Sequence, residues 1–379
     1  MPLLSRRLVN IDWVLFLAII PLLGAGLITM KGFFPQVEGL AGEGGDYYFT
    51  RQLIWIFLGF AIFFMFSSVD WRFLKSGGLL LALLILSLIP LAFLLLSGIK
   101  IRGAASWLNF FSFSINPADP IKLLLILILA KYFSRRHIEI ANIKHIFISA
   151  TYAVVPAALV FFQPDFGSVI IVCAIWLGMV LVSGISKKHL LLVFLVAVLI
   201  FSVSWFFLLK PYQKSRIIIF LNPLKDPKGA GYNALQSMIA VGSGQIWGKG
   251  IGYGTQSRLE FLPEHQTDFI FAAFAEEWGF VGVSIIFVFF GIAIWRVLKN
   301  AFNGQSNFER LFGIGLAIFL LVQSSINIGM NIGLLPITGI PLPFMSYGGS
   351  NLLTIFAGLG ILMAMRRYSI NIPDDPHLI

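Results

Sequence analysis

Residues 256–279 read QSRLEFLPEHQTDFIFAAFAEEWG, and how this stretch is read decides the fold. Arg258, Glu260, Glu264, His265 and Asp268 crowd into a polar segment that runs directly into apolar sequence. The apolar run continues to about residue 297, longer than the roughly 20 residues a helix needs to cross a bilayer core. A charged loop therefore feeds a membrane span, with Asp268 at its head and Glu276 and Glu277 inside it.

Outward from this stretch the chain keeps the same character. Of 379 residues, 58% are hydrophobic and 12% charged, with a mean hydropathy of +0.90. A soluble domain carries about 25% charged residues, so an integral membrane protein is expected. Apolar runs near 12–31, 52–69, 77–97, 117–133, 146–162, 168–185, 189–209, 268–297, 310–331 and 349–365 predict an all-α polytopic protein of ten transmembrane helices. The whole of 1–379 reads as one membrane domain, with a long extracytoplasmic loop, 210–267, between spans seven and eight. Arg6 and Arg7 precede the first run and no small-residue cleavage site follows, so that run reads as a retained span.

The formal charge of +10 does not point to nucleic acid, because the cations sit in short clusters between apolar runs. Arg72 and Lys75, Arg135 and Arg136, Lys187 and Lys188, Arg296 and Lys299, and Arg366 and Arg367 fall in one set of loops. The short loops of the other side hold Lys31, Arg51, Lys100 and Arg102. Cytoplasmic loops collect Lys and Arg, which places both termini in the cytoplasm. The single cysteine, Cys173, excludes a disulfide framework and a thiolate metal site. No Walker A, HExxH or GxSxG pattern occurs, and the five histidines are not spaced as metal pairs. His265 reads as a loop histidine.

The outer loop opens with Lys210, Lys214 and Arg216 beside the membrane. Tyr232 to Val241 then has Leu235, Met238 and Ile239 at helical spacing, as for a helix lying flat on the interface. Glycines recur at 242, 244, 248, 250, 252 and 254. Without a strand before and a helix after, they make no dinucleotide fingerprint, and a flexible or tightly turning backbone is expected.

Asp268 is the sharpest candidate for chemistry: a carboxylate at the outer head of a span can exchange a proton. Thr267 or Asp268 could equally serve as the helix N-cap. Glu276 and Glu277 fall at a depth where ionised groups need a partner or a proton. Asp119 and Lys122 share one face of span four, as a structural pair or as part of a substrate channel. Asp165 lies in the turn Gln163-Pro164-Asp165-Phe166-Gly167. The stretch PITGIPLPFMSYGGS, 336–350, resembles the broken helices that line membrane cavities. Its Gly348, Gly349 and Ser350 would present N–H groups to an anion at the start of span ten. Gln323, Asn327 and Asn331 form a polar stripe suited to interhelical hydrogen bonds.

Taken together, these motifs resemble the SEDS family of RodA, FtsW and SpoVE over about residues 10–367, and look most like its RodA branch. The residues that carry the resemblance are Gly103-Ala104-Ala105-Ser106-Trp107, Pro117 to Lys122, QPDFG at 163–167, NPLKDPKGAGYN at 222–233, residues 248–282 and PLPFMSYGGS at 341–350. The resemblance implies a peptidoglycan glycosyltransferase of the bacterial inner membrane, polymerising lipid II at the outer face during cell elongation. It also implies a class B penicillin-binding protein as partner, with other elongation-complex membrane proteins and membrane lipid around it. The family's essential aspartate matches Asp268, and its acidic and lysine pair matches Asp119 and Lys122. Two departures stand out: Asp119 replaces the family's usual Glu, and Ser106 stands where Arg is usual, with Arg102 nearby.

The expected chemistry is an inverting transfer with Asp268 as general base and undecaprenyl diphosphate as leaving group. Lys214, Arg216 and Arg258 are the candidates for the diphosphate's charge, and Glu264, Asp165 and Ser346 complete the substrate-binding candidates. No protein metal site and no organic cofactor are expected, though a divalent cation, Mg2+ or Mn2+, suits the diphosphate. The competing readings are a lipid II flippase, for which the broken helix and intramembrane charges would serve, and a non-catalytic scaffold for a penicillin-binding protein.

Overall fold

The computed structural model describes residues 11–32, 44–75, 78–97, 107–110, 113–135, 143–227, 229, 231–259 and 261–370. Arg6, Arg7, Lys100, Arg102, Ser106, Arg136 and Glu260 lie outside the described residues. Every backbone N–H and C=O in hydrocarbon must find its partner within the segment, and the apolar runs accordingly fold as helices. In order these are α1 (Trp13–Gly32), α2 (Gly44–Ser68), α3 (Leu79–Ser97), α4 (Ala118–Ser134), α5 (Ile143–Phe162), α6 (Phe166–Val182) and α7 (Lys187–Val203). The long loop contributes α8 (Pro211–Leu221), α9 (Tyr232–Ser243) and the single turn α10 (Thr255–Arg258). Then come α11 (Ile270–Phe302), α12 (Asn307–Asn331) and α13 (Gly349–Ile370). A short hairpin, β1 (Leu108–Phe110) with β2 (Phe113–Ile115), precedes α4.

A helix overlies each of the ten expected spans, and eight of them are long and apolar enough to cross a membrane. The other two, α4 and α6, have 17 residues each. Helices α4, α12 and α13 form the centre: α13 is packed by α2, α4, α11 and α12, and α4 buries almost its whole length. At the periphery α7 buries none of its residues, and α3 turns Leu81, Ile85, Ile89 and Phe93 outward. The apolar stripe that a soluble helix would hide faces outward here, as lipid-facing helices do.

The bundle has two ends. One, the loop end, carries the long loop and the starts of α4, α6, α11 and α13. At the other, the terminal end, Asp12 is buried and draws three elements together. Arg296 Nη2 and Asn300 Nδ2 each donate to its carboxylate at 2.7 Å, and Arg366 Nη1 lies at 3.5 Å.

Helix α11 differs most from the uninterrupted span that its sequence suggests. Its 33 residues contain Gly279 at φ 64°, ψ −166°, a non-helical break. The part beyond the break, Phe280–Phe302, is about 35 Å long at 1.5 Å per residue, enough on its own for a core of roughly 30 Å. Gly32, the last residue of α1, lies beside Glu277: a Cβ there would sit 2.9 Å from Glu277 Oε1. Asp12, just before α1, holds Arg296 and Asn300, so α1 runs beside α11 from Glu277 to Asn300. The segment Ile270–Glu276 thus rises past the end of α1. Glu276 and Glu277 stand near the loop-end boundary of the bundle, not at the depth inferred from an unbroken span.

Candidate active site at the loop end

The glycine-rich segment 244–254 is tightly turned, with Gly248, Gly250 and Gly252 all at positive φ. It docks on the break in α11. Because Gly279 leaves the helical path, the carbonyls of Glu276 and Glu277 are available to outside donors, and they accept from Lys249 N and Gly250 N, each at 3.0 Å. In return Phe280 N and Val281 N donate to Gln245 O (2.8 Å) and Ile246 O (3.1 Å). A Cβ on Gly279 would run into Gly248 N and Ile246 O. Only glycine allows this backbone-to-backbone approach.

The Glu276 carboxylate completes the clasp. It is fully buried and paired with Lys249 Nζ at 2.7 Å. It also accepts from Thr255 N (2.9 Å), Thr255 Oγ1 (3.1 Å), Gln256 N (3.1 Å) and, at the limit, Ser243 Oγ (3.5 Å). Glu277 Oε1 accepts from Gly252 N at 2.9 Å. These partners come from the outer loop, twenty or more residues upstream.

Asp268 is held differently. It lies in a turn, 264–269, ahead of α11, whose N-cap is Phe269 with no side-chain cap bond. Neither Thr267 nor Asp268 is therefore the cap, because the helix begins two residues later than expected. The carbonyl of Glu264, which sits at φ 49°, accepts from the N–H groups of Thr267, Asp268 and Phe269. Thr267 Oγ1 donates to Glu264 Oε2 at 3.3 Å. Asp268 is half-buried, and Gly339, at φ 73°, passes its carboxylate closely enough that a Cβ would lie 3.5 Å from Oδ2.

The polar stripe on α12 secures this turn. Residues four apart share one helix face, and Gln323, Asn327 and Asn331 are all fully buried there. Asn327 Nδ2 donates to Asp268 O (2.9 Å) and Ile340 O (2.7 Å), and Asn331 Nδ2 to Asp268 O (3.1 Å). Gln323 Nε2 donates to Pro341 O (2.8 Å) and Asn351 Oδ1 (2.9 Å). Gln323 to Asn351 is an interhelical bond of the kind the spacing suggested, while the other bonds run to carbonyls of the turn before α11 and the loop before α13. Ser346 adds a clamp: its Oγ donates to Thr267 O at 2.6 Å and accepts from Leu342 N at 2.7 Å, while Tyr347 N donates to Gln266 O at 2.9 Å. Burial pushes the Tyr347 phenol up, against hydrogen bonds to Arg51 and Trp55 and the Arg51 charge.

A second polar group adjoins through Asn351. Lys122 Nζ meets Asp119 Oδ1 at 2.8 Å, both residues buried, and Asn351 Nδ2 approaches the same oxygen at 3.5 Å. The shorter carboxylate of Asp119 thus reaches its lysine. Asp165 caps α6, accepting from Ser168 N (3.0 Å) and Ser168 Oγ (2.8 Å), and Asn116 Nδ2 lies 3.4 Å from its Oδ2. Ser350 Oγ accepts from Asn116 N at 3.1 Å, and Gly349 packs directly on the Trp55 ring. Gly348 is open, with no neighbour nearer than 3.9 Å to a Cβ there.

The loop cations stand on two elements, Lys214 and Arg216 on α8 and Arg258 on α10. Lys214 Nζ lies 5.9 Å from the Trp205 ring centre, Arg258 ends α10, and Arg216 is exposed at a small cavity of about 50 Å³ between α8, α9 and the end of α12. Ser237 and Ala240 seat α9 on the bundle, Ser237 Oγ donating to Asn331 O at 2.9 Å, while Ile239 points outward. Among the described residues, no three His, Cys, Asp or Glu side chains are grouped to hold a metal. Sequence reading missed Asn116, Asn351 and Gln52, whose Nε2 donates to Ser346 O at 3.2 Å. Asn116 and Asn351 border the motifs at Pro117 and Ser350, Gln52 opens the second apolar run, and a buried amide in an apolar chain is the signal that finds them.

Comparison with known proteins agrees with this geometry. Residues 12–371 match the family described as cell cycle protein, which unites FtsW, RodA and SpoVE. Peptidoglycan glycosyltransferase MrdB of Escherichia coli strain K12 is 39% identical over 267 residues, covering 70% of this chain and 72% of that protein. Stage V sporulation protein E of Bacillus subtilis is 33% identical, covering 94% and 97%. Among solved structures, one from a peptidoglycan synthase complex described as coordinating polymerization and crosslinking superposes with a TM-score of 0.79. It has 30% identity and covers 95% of this chain and 99% of that one. The rod shape determining protein RodA of Thermus thermophilus gives 0.69 at 27% identity, covering 95% and 98%.

Proposed function

Because the chain belongs to the FtsW, RodA and SpoVE family of cell cycle proteins and is a peptidoglycan glycosyltransferase, we propose that Asp268 is the general base of its transfer reaction. The observation that carries this is the turn 264–269, tied down by Asn327, Asn331 and Ser346 through its main chain. A rigid main chain keeps the carboxylate in a fixed position at the head of α11, as proton transfer in a transition state requires.

Both substrates are lipid II. The Asp268 carboxylate takes the proton from the acceptor sugar's 4-hydroxyl as that oxygen attacks the donor's anomeric carbon. The bond from that carbon to the diphosphate oxygen breaks with inversion, and undecaprenyl diphosphate leaves carrying the electron pair. A diphosphate does not need the second carboxylic acid that a glycosidase uses to protonate an alkoxide. It needs its charge matched, and Arg216, Lys214 and Arg258 are cations on the same side of the bundle. The buried Asp119–Lys122 pair, with Asp165 and the start of α13 at Gly348, Gly349 and Ser350, forms the adjoining wall of the donor site. Any Mg2+ or Mn2+ would arrive with the diphosphate, as no cluster of three His, Cys, Asp or Glu side chains stands among the described residues.

The loop end faces outward from the bacterial cytoplasmic membrane and both termini lie inside; the excess of Lys and Arg at the terminal end supports this orientation. The likeness to a rod shape determining protein supports a role in elongation, and the likeness to a synthase complex supports a crosslinking class B penicillin-binding protein as partner. The test is lipid II polymerisation by purified protein, alone and with that partner, wild type beside Asp268→Ala. Glycan from the wild type only supports the assignment. Glycan from both moves the base elsewhere, with Glu264 next. Glycan from neither, with folding verified, favours the flippase.

A further inference from the structure

The terminal end of the bundle holds a cavity that the transfer reaction does not use. It has a volume of about 250 Å³ and is lined by Lys75, Lys131, Arg135, Ser134, Ser306 and Asn307, with Phe308 at its base. Three distant parts of the chain build it: the turn after α2, the last turn of α4 and the start of α12. Bringing three cations to one cavity is costly unless an anion sits among them.

The cations are fixed in place by the fold. Lys75 Nζ pairs with the buried Glu309 at 2.8 Å. Arg135 Nη2 donates to Lys75 O at 2.6 Å. Glu309 is itself locked, accepting from Gln305 N at 2.8 Å and Ser306 N at 3.4 Å as it closes the first turn of α12. The N–H groups of that turn and the positive end of the α12 dipole face the cavity region. Ser306, the N-cap of α12, lines this cavity.

The cavity also sits where a lipid headgroup would lie. Lys75 leads within a few residues into the outward face of α3, where Leu79 and Leu81 are exposed, and Phe73 just before it is exposed too. Acyl chains can follow that face while a phosphate enters between the cations. We propose that this cavity is a binding site for the phosphate group of an anionic phospholipid, held by Lys75, Lys131 and Arg135 with the start of α12. It is independent of the Asp268 assignment.

The test uses the full-length protein in neutral detergent, titrated with phosphatidylglycerol, phosphatidylcholine or sodium phosphate while thermal unfolding is followed. Phosphatidylglycerol should raise the midpoint and phosphatidylcholine should not. Asn307→Asp places a carboxylate at the first turn of a helix, where the dipole tolerates it, so the fold is kept while the anion is repelled. It should weaken the lipid effect about fivefold, and Lys131→Gln with Arg135→Gln about 25-fold, since each cation near a membrane surface contributes about 1 kcal/mol. The pair Lys187→Gln and Lys188→Gln, exposed at the same end, should change nothing. Protection by sodium phosphate that is lost in Asn307→Asp supports the site and assigns it to the phosphate group alone. An equal loss in the Lys187 and Lys188 variant, or no selectivity for phosphatidylglycerol, overturns the proposal.

Discussion

Asp268 and Glu276 lie eight residues apart on the same stretch of chain, yet the structure treats them in opposite ways. Glu276 is fully buried and its side chain is saturated, with Lys249 and donors from three neighbouring residues closing around it. Asp268 is half-buried, and the bonds from α12 reach its carbonyl. A carboxylate tied through its own oxygens is part of the frame. Asp268 has its main chain anchored by α12, which fixes where its half-buried carboxylate stands. Charge and proximity do not separate the two residues; depth of burial and the anchoring of the main chain do.

Isosteric amides should break the comparison cleanly if it is wrong. Asp268→Asn should lower polymerisation by about 10²- to 10⁴-fold, the range of a lost general base, with little change in the thermal midpoint. Glu276→Gln should do the reverse: removing one partner of a buried pair costs about 3–5 kcal/mol, read as a lower unfolding midpoint. If the two swap behaviour, frame and site have been misassigned. Next in size is Gly279→Ala. Its φ is positive and its Cβ would strike the docked loop, so about 1–3 kcal/mol of strain should loosen residues 244–254 and open them to limited proteolysis. Asn327→Ala should sharpen the contrast with the smallest shift in stability. It leaves Ile340 O without this donor while Asp268 O keeps Asn331 Nδ2, at about 1–3 kcal/mol, and should reduce turnover more than substrate binding, because the turn that carries Asp268 loses one of its anchors.

How much of this could be read from the chain alone depends on how local the cause is. The spans were legible because a run of about 20 apolar residues has few other fates. The Gln323, Asn327 and Asn331 stripe was legible because its spacing matches the helix period. The break at Gly279 was not, since Phe280, Val281 and Val283 continue the apolar pattern straight across it. The partners of Glu276 were hidden for a related reason. Lys249, Thr255 and Gln256 reach it only after the chain has turned through Gly248, Gly250 and Gly252, a path that spacing does not encode. The N-cap misreading came from residue preference: Thr267 and Asp268 are favoured caps, but the clamp of Ser346 and the three hydrogen bonds accepted by Glu264 O keep them in the preceding turn.

The Asp12 knot at the terminal end bears on how the molecule is made. Asp12 leaves the ribosome long before its partners: Arg296 follows 284 residues later and Asn300 288 residues later. At roughly 5–20 residues per second of synthesis, that is a wait of about 15 to 60 seconds. For that interval the carboxylate ahead of α1 must stay at the membrane surface, in water or with a helper, and α1 can settle beside α11 only once Arg296 and Asn300 have been made. A nascent chain cut short before Arg296 would carry an uncompensated acid at the foot of its first helix, a mark by which the cell's proteases could tell an unfinished molecule from a finished one.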